Sequence, residues 1–422
     1  MAKLKKRFGS IWRQAFLMLA LLGPGMITAS ADNDAPGIAT YSMAGSRYGY
    51  GFLWLLVVVT VGEVIVQEMA ARMGTVTSKG AADLIRERFG VKVTAFAMVC
   101  LLVANMGTTM AQFAGVAAGT ELLGVSRYIT VPLAALLVGF LVLQGSYSRV
   151  EKVLLLLSLA ALSYIVSAII ARPPWGEVLR QAVTPTFRAE PAYILAVMAT
   201  IGTTITPWGI VYMQASVADK GVTKEDYHYT RLDVTFGATW GNVVSAAIVI
   251  CTAATLFVAG VAVESADEAA VALAPLAGPA AKYLFSTGLL GASLLASSVL
   301  PLATAYAICE AFGWERGLDH KPREAPVFYG LYIGMILLSV IIVLVPGIPL
   351  FPIMWASQAL NALLLPVLLV LILRLANDTR IMGDWRNSRL QNGLAWALTG
   401  LVSLISVLLL VTSLFPTLFG GA

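Results

Sequence analysis

Eleven apolar runs, each long enough to cross roughly 30 Å of hydrocarbon, divide this chain almost from end to end. They cover about residues 13–45, 50–72, 93–121, 128–145, 153–171, 191–217, 234–262, 280–310, 326–346, 350–374 and 393–417. In lipid a backbone must satisfy its own amides, so such runs fold as helices or as closed barrels. Barrel strands alternate apolar and polar residues; these runs do not. The expected fold is therefore all-α and integral to the membrane, with about 11 transmembrane helices. Composition agrees. With 59% hydrophobic residues, 12% charged residues and a mean hydropathy of +0.83, the chain cannot be a soluble globule or a disordered segment.

Charge sets the orientation. The net charge of +5 does not form a nucleic-acid patch, because the basic residues sit in short turns between apolar runs. Counted over alternate connections they divide 22 to 6, with the larger share on the side of the N-terminus. The positive-inside rule then predicts a multi-pass protein of the cell (inner or plasma) membrane with a cytoplasmic N-terminus. The Lys-rich start, with Lys3, Lys5, Lys6 and Arg7, reads as an orientation signal that also meets anionic lipid. Ala29-Ser30-Ala31 imitates a signal-peptide cleavage site, but small-residue triplets are common in a chain this rich in alanine. Cys100, Cys251 and Cys309 fall in apolar runs without ligand spacing and are expected to be buried thiols. His228 and His320 lie in polar connections, and no nucleophile–base pair is visible, so an enzyme is not expected.

Two runs are interrupted. The first contains Asp32-Asn33-Asp34-Ala35-Pro36-Gly37, and the sixth contains Thr203-Thr204-Ile205-Thr206-Pro207-Trp208-Gly209. Proline removes a backbone donor and clashes with the preceding turn. Matching interruptions in two five-helix halves mark an inverted-repeat secondary transporter. Helices 1–5 (about 13–171) would pair with helices 6–10 (about 191–374), with helix 11 (about 393–417) added, in a single membrane domain over residues 1–422. Pro207 alone is equally compatible with a simple kink. Residues 32–37 are not, since each intramembrane carboxylate costs about 3 kcal/mol or more and a kink needs none.

Those carboxylates are better explained by a cation. Asp34 is the expected direct ligand, while Asp32 points to another helical face and would serve the vestibule. Asn33 precedes Asp34, and Thr203, Thr204 and Thr206 add hydroxyl and carbonyl oxygens across the break. No Cys, His or Met lies in either interruption. Oxygen-only sites suit Mg²⁺, Ca²⁺ or Mn²⁺ rather than softer metals. Mg²⁺ keeps waters and is held through one or two carboxylates, which favours it here; a sodium or amino-acid site stays open on these grounds.

The segment GPGMITASADNDAPGIAT resembles the first helix of the natural resistance-associated macrophage protein (Nramp) divalent-metal transporters, whose motif there is DPGN. Asp34 stands at its Asp, Ala35 at its Pro, Pro36 at its Gly and Gly37 at its Asn. ATIGTTITPWGIVYMQ resembles the sixth helix, with motif A-x-x-MPH: Thr203 stands at the Ala, Thr206 at the Met, Pro207 at the Pro and Trp208 at the His. Helices 8 and 10 are similar too, and Gln358 matches a glutamine associated with the ion site. The resemblance implies a LeuT-like 5+5 inverted repeat with helices 1 and 6 broken. It implies metal ligation by Asp34, Gly37, Thr203, Thr206 and Gln358, and proton-coupled Mn²⁺/Fe²⁺ uptake.

The departures redirect that expectation. Thr206 replaces the soft thioether, and Gly37 removes a carboxamide. Met213 replaces a second histidine, and Thr109 and Gln112 stand where the family has acids linked with proton movement. This pattern is similar to the Nramp-related magnesium transporters. The favoured function is thus Mg²⁺ uptake, with Mn²⁺ also possible, by alternating access without protons; the metal is substrate, and no cofactor is expected. The alternatives are the ordinary proton-coupled Mn²⁺/Fe²⁺ transporter and a non-transporting membrane receptor or sensor. The partners are the divalent ion and lipid, with no nucleic acid. The sequence fixes no oligomeric state, and a monomer is compatible with it.

Among the remaining polar residues, Glu63 in the second helix is either a group on the ion path or a carboxyl hydrogen-bonded to a neighbouring helix. Glu68 is expected to pair with Arg72 at i,i+4, and Glu310 to act similarly at a helix end. Gln67 and Asn105 are expected to bond between helices, and Trp208 to pack or to gate the site.

Overall fold

The computed structural model describes residues 33–143, 159–188, 190–318 and 320–414. Those residues form helices: α1 (Ala35–Tyr48), α2 (Leu53–Thr77), α3 (Ala81–Glu121), α4 (Arg127–Leu143), α5 (Ser163–Ile170), α6a (Pro191–Thr204) and α6b (Pro207–Asp219). The series continues with α7 (Tyr227–Thr252), α8 (Ala281–Phe312), α9 (Pro326–Val343), α10 (Leu350–Ala376) and α11 (Arg389–Leu414). Among the described residues, eight stretches are long and apolar enough to cross a membrane when α1–α2 and α6a–α6b each count as one, and α4 is a shorter apolar helix. The first half of the first predicted helix, with Asp32, the Ala29-Ser30-Ala31 triplet and the basic N-terminus, lies outside the described residues, as does the whole stretch 144–158.

The solvent preference of the molecule is inverted. Leu133, Leu136 and Phe140 on α4, Ile341 on α9 and Leu404 on α11 are exposed, whereas Asn33, Asp34, Glu63, Gln112 and Gln358 are buried. An apolar exterior around polar groups that bond one another is what a hydrocarbon solvent demands. The chain is a multi-pass membrane protein.

Helix α3 is central, packing against α8, α9 and α10, while α1 lies against α7, α10 and α6a. Close approach is set by glycines. A Cβ on Gly202 of α6a would lie 1.9 Å from the Gln358 carbonyl oxygen, and one on Gly115 of α3 would lie 2.3 Å from Ala35 Cβ. The predicted start of helix 3 at residue 93 falls just after Gly90, whose φ of +78° interrupts α3. Helix α7 begins earlier than its apolar run, so His228 sits on its first turn rather than in a connection. The connection after α5 contains a helix, Trp175–Val183, that apolar runs do not mark. All three cysteines are buried and free.

Candidate functional site

Helix α1 starts inside the fold, and its start is built from the residues that interrupt the run. Asp34 adopts φ −76°, ψ −179°, and its Oδ1 accepts from Gly37 N at 2.8 Å. Pro36 sits in the first turn, where a missing N–H costs nothing. The second Asp34 oxygen accepts from the side-chain amide of Gln112 on α3. Asp34 is 4% exposed, so its charge depends on these donors in a poorly solvated interior. The Gln112 Oε1 is buried without a hydrogen-bond donor, an acceptor set beside the carboxylate.

The sixth segment is broken within the described residues. Helix α6a ends at Thr204, Ile205 (φ −108°, ψ 85°) and Thr206 (φ −86°, ψ 136°) leave helical geometry, and α6b restarts at Pro207. Pro207 is also the residue whose N–H the Thr203 carbonyl would receive in a continuous helix, and it has none. The Thr206 hydroxyl oxygen accepts from Gly209 N at 3.3 Å and caps α6b. The C-terminal carbonyls of α6a carry partial negative charge, which suits a cation. The break is a true interruption, not a kink.

Gly202 brings α6a against α10 at Gln358, next to Thr203. Gln358 Oε1 accepts from Asn361 Nδ2 at 3.0 Å, and Asn361 Nδ2 also donates to Thr108 Oγ1 of α3 at 2.8 Å. Thr109, at one of the positions that the resemblance makes acidic, donates to the Asn105 carbonyl in its own helix at 2.7 Å. The other such position is Gln112, the residue that holds Asp34.

Asn33, Glu63 and Thr204 come together in a second pocket, with Tyr41, Asn242 and Ser245, around a cavity of about 10 Å³. Asn242 Nδ2 of α7 donates to Glu63 Oε2 at 2.5 Å, so Glu63 is bonded to a neighbouring helix. Ser245 Oγ donates to Asn33 Oδ1 at 3.2 Å, and Tyr41 and Thr204 share a hydroxyl–hydroxyl bond of 2.9 Å. Gln67 corrects the expectation of an interhelical bond: it donates to Glu63 one turn away at 3.0 Å. Asn105 does bond between helices, to Thr304 of α8 at 2.7 Å. Glu68 pairs with Arg72 at 3.3 Å, and Glu310 with Arg316 at 3.8 Å.

A vestibule of about 680 Å³ enters from the side holding Lys79, Lys220 and Arg316. Its lining includes Tyr212 and Val299, which also pack with buried Trp208, Leu295 and Leu300. Trp208 is therefore part of the plug between the vestibule and the breaks. Toward the opposite end, Tyr48, Phe52 and Tyr193 pack ring on ring, with centroids 5.1–5.4 Å apart.

Sequence reading missed Gln112, Asn242, Ser245 and Asn361 as members of these clusters. Gln112 is visible as a polar residue in an apolar helix, but its partner lies 78 positions away. Asn242 and Ser245 form an i,i+3 polar pair inside an apolar run, a signal of one buried face.

A sixth membrane segment interrupted at Thr206, a neighbouring helix that starts at a buried carboxylate, and a vestibule that stops at an aromatic plug match a secondary transporter of the broken-helix class. A family model described as natural resistance-associated macrophage protein-like matches residues 25–412, and the chain belongs to the Nramp family. It is 30% identical over 405 residues to a protein of Klebsiella pneumoniae named divalent metal cation transporter MntH, covering 94% of this chain and 95% of that one. Its fold matches the crystal structure of the Eremococcus coleocola manganese transporter in complex with an aromatic bis-isothiourea substituted compound. That match has a TM-score of 0.75 and 22% identity, and covers 97% of this chain and 89% of that one. It also matches MhsT in complex with L-phenylalanine, with a TM-score of 0.57 and 14% identity over 92% of this chain and 98% of that one. The fold is thus the LeuT-like arrangement, and the chain is a transporter rather than an enzyme.

Proposed function

We propose that the chain carries divalent cations, Mg²⁺ foremost and Mn²⁺ as a second substrate, by alternating access between the two broken helices and without moving protons. Asp34 is the charged ligand. Gly37, Thr203, Thr206 and Gln358 frame the ion with hard oxygens, and Asp32, Asn33, Thr204, Trp208 and Glu63 serve its path. The observation that carries this reading is the partner of Asp34. A neutral Gln112 amide, rather than an acid, meets the carboxylate from α3, and the break at Thr206 offers a hydroxyl where a thioether would favour softer metals. A proton has no acidic residue to ride at Thr109 or Gln112.

Without protons, the membrane potential supplies the drive. Each charge gains about 2.3 kcal/mol per 100 mV, so a divalent ion gains roughly twice that, enough to hold an inward gradient of about a thousandfold. The vestibule opens on the side richer in Lys and Arg, which the positive-inside rule assigns to the cytoplasm of a cell membrane.

A relative named manganese transporter, together with the proton coupling that the family resemblance implies, favours a second reading, proton-coupled manganese uptake. Proteoliposomes loaded with metal and pH dyes separate the two. The proposal expects saturable Mg²⁺ entry with no internal acidification. Mn²⁺ entry that excludes Mg²⁺, or acidification in step with metal, would reject it.

A further inference from the structure

We infer that Gln112 on α3 is itself a ligand of the transported divalent ion, giving its side-chain oxygen to the cation while its amide nitrogen holds Asp34. The inference rests on the proposed placement of the ion at Asp34. Gln112 is fully buried, and its Nε2 donates to Asp34 Oδ2. The reverse amide orientation would press an oxygen against the carboxylate, so the network fixes which end of the amide is which. The Oε1 that results has no hydrogen-bond donor. Nearby hydroxyls are committed elsewhere. Thr109 donates to the Asn105 carbonyl at 2.7 Å. Ser293 of α8, which faces α3 at Gly115 one turn further along, donates to the Leu289 carbonyl at 2.6 Å. A buried amide oxygen left in this way calls for a partner.

The surroundings of Asp34 decide which partner. Its Oδ1 accepts from Gly37 N at 2.8 Å and its Oδ2 from Gln112. Both donors are neutral, so they orient the carboxylate without cancelling its charge, and each oxygen keeps a lone pair. A water at Gln112 Oε1 would supply a hydrogen bond but no charge; a cation coordinated by both residues answers the amide oxygen and the carboxylate together. The spacing suits this. Oε1 shares a carbon with the nitrogen that touches Oδ2, so the two oxygens are no further apart than one hydrogen bond plus the width of an amide. An ion with ligand bonds of about 2.0–2.1 Å joins oxygens up to roughly 4 Å apart. The amide also adds a hard ligand with no further negative charge. That favours an ion that keeps some of its water, and it keeps binding weak enough for release.

The test exchanges a hard ligand for a soft one. Gln112→Met keeps the length of the side chain, discards the amide and sets a thioether where Oε1 stood. Binding of Cd²⁺ and of Mn²⁺ to the purified full chain is measured by titration calorimetry; neither probe is Mg²⁺, so the outcome does not depend on which divalent ion is carried. The ratio of Cd²⁺ to Mn²⁺ affinity should rise at least tenfold in Gln112→Met. Gln112→Leu, which lacks oxygen and sulfur alike, should weaken both metals without that rise. A residue that only positions Asp34 would weaken both metals equally in both variants. An unchanged ratio in monodisperse Gln112→Met, or the same rise in Gln112→Leu, would therefore overturn the proposal. A measurement on the unmodified chain guards against variants that fail to fold. Mn²⁺ located by anomalous scattering should lie within coordinating distance of Gln112 Oε1 as well as of Asp34. A peak at Asp34 with Oε1 out of reach would overturn the Gln112 assignment alone; a peak away from Asp34 would overturn the ion placement on which it rests.

Discussion

Replacing Gly202 by alanine probes the contact that seats α6a against α10. The added Cβ would stand 1.9 Å from the Gln358 carbonyl oxygen and 2.7 Å from Ala362 N. Unbonded heavy atoms settle near 3.5 Å, so the helices must part by roughly 1.5 Å. Both contacts are backbone atoms within helices, which cannot swing away as a side-chain tip can. Overpacking of this kind costs about 1–3 kcal/mol. Alanine returns about 0.5–1 kcal/mol of helix preference, so a net loss of roughly 0.5–2 kcal/mol remains. Gly107 supplies the control: its Cβ would meet Leu360 Cδ2 at 3.4 Å and Ser357 Cβ at 3.7 Å, ordinary contacts on the same helix α10. Thermal unfolding of the detergent-solubilised protein, followed by tryptophan fluorescence, should show Gly202→Ala melting about 1–2 °C lower and Gly107→Ala melting level or higher. Because Thr203 and Gln358 flank the contact, ion affinity should fall in Gly202→Ala alone. Equal melting temperatures for the two variants would refute the packing argument.

Thr206→Met removes the cap on α6b, costing about 1 kcal/mol, and adds a soft ligand, so competition uptake should shift toward Mn²⁺ over Mg²⁺; an unchanged ratio would remove Thr206 from the site. Arg72 is buried between Glu68 at 3.3 Å and the Trp385 carbonyl at 2.8 Å, so Arg72→Met should cost about 3–5 kcal/mol by stranding the Glu68 charge, read as lost monodisperse yield and a lowered melting temperature. Asp378 follows α10 outside the membrane, where the backbone N–H of Arg380 and then the Arg88 guanidinium hold its carboxyl below the usual carboxylate range. The stability it lends is complete above about pH 4 and is lost as pH falls through the lower folded value. Melting temperature measured against pH should therefore be flatter below about pH 4 in Asp378→Asn than in the parent.

Apolar runs placed the spanning helices well because lipid leaves a backbone no alternative to helix. They misjudged the ends, since polar residues such as 227–233 begin a helix ahead of its apolar run. The breaks were legible because proline and glycine act locally: α6b restarts at Pro207, and α1 starts one residue before Pro36. Partnerships across the fold were not legible. Nothing in the order of residues says that Gln112 holds Asp34, or that Asn242 holds Glu63 from 179 positions away. Gln67 shows the converse: its i−4 neighbour Glu63 offered a local bond that an interhelical expectation overlooked.

The central claim is that the interruptions at Asp34 and Thr206 form an oxygen-only cation site. The most direct measurement is a density map of the full chain equilibrated with Mn²⁺, located by its anomalous scattering. The account predicts one strong peak beside the Asp34 carboxylate, ligated by carboxylate, carbonyl, hydroxyl, amide oxygen and water. A peak touching a methionine sulfur, or lying away from Asp34 altogether, would contradict it.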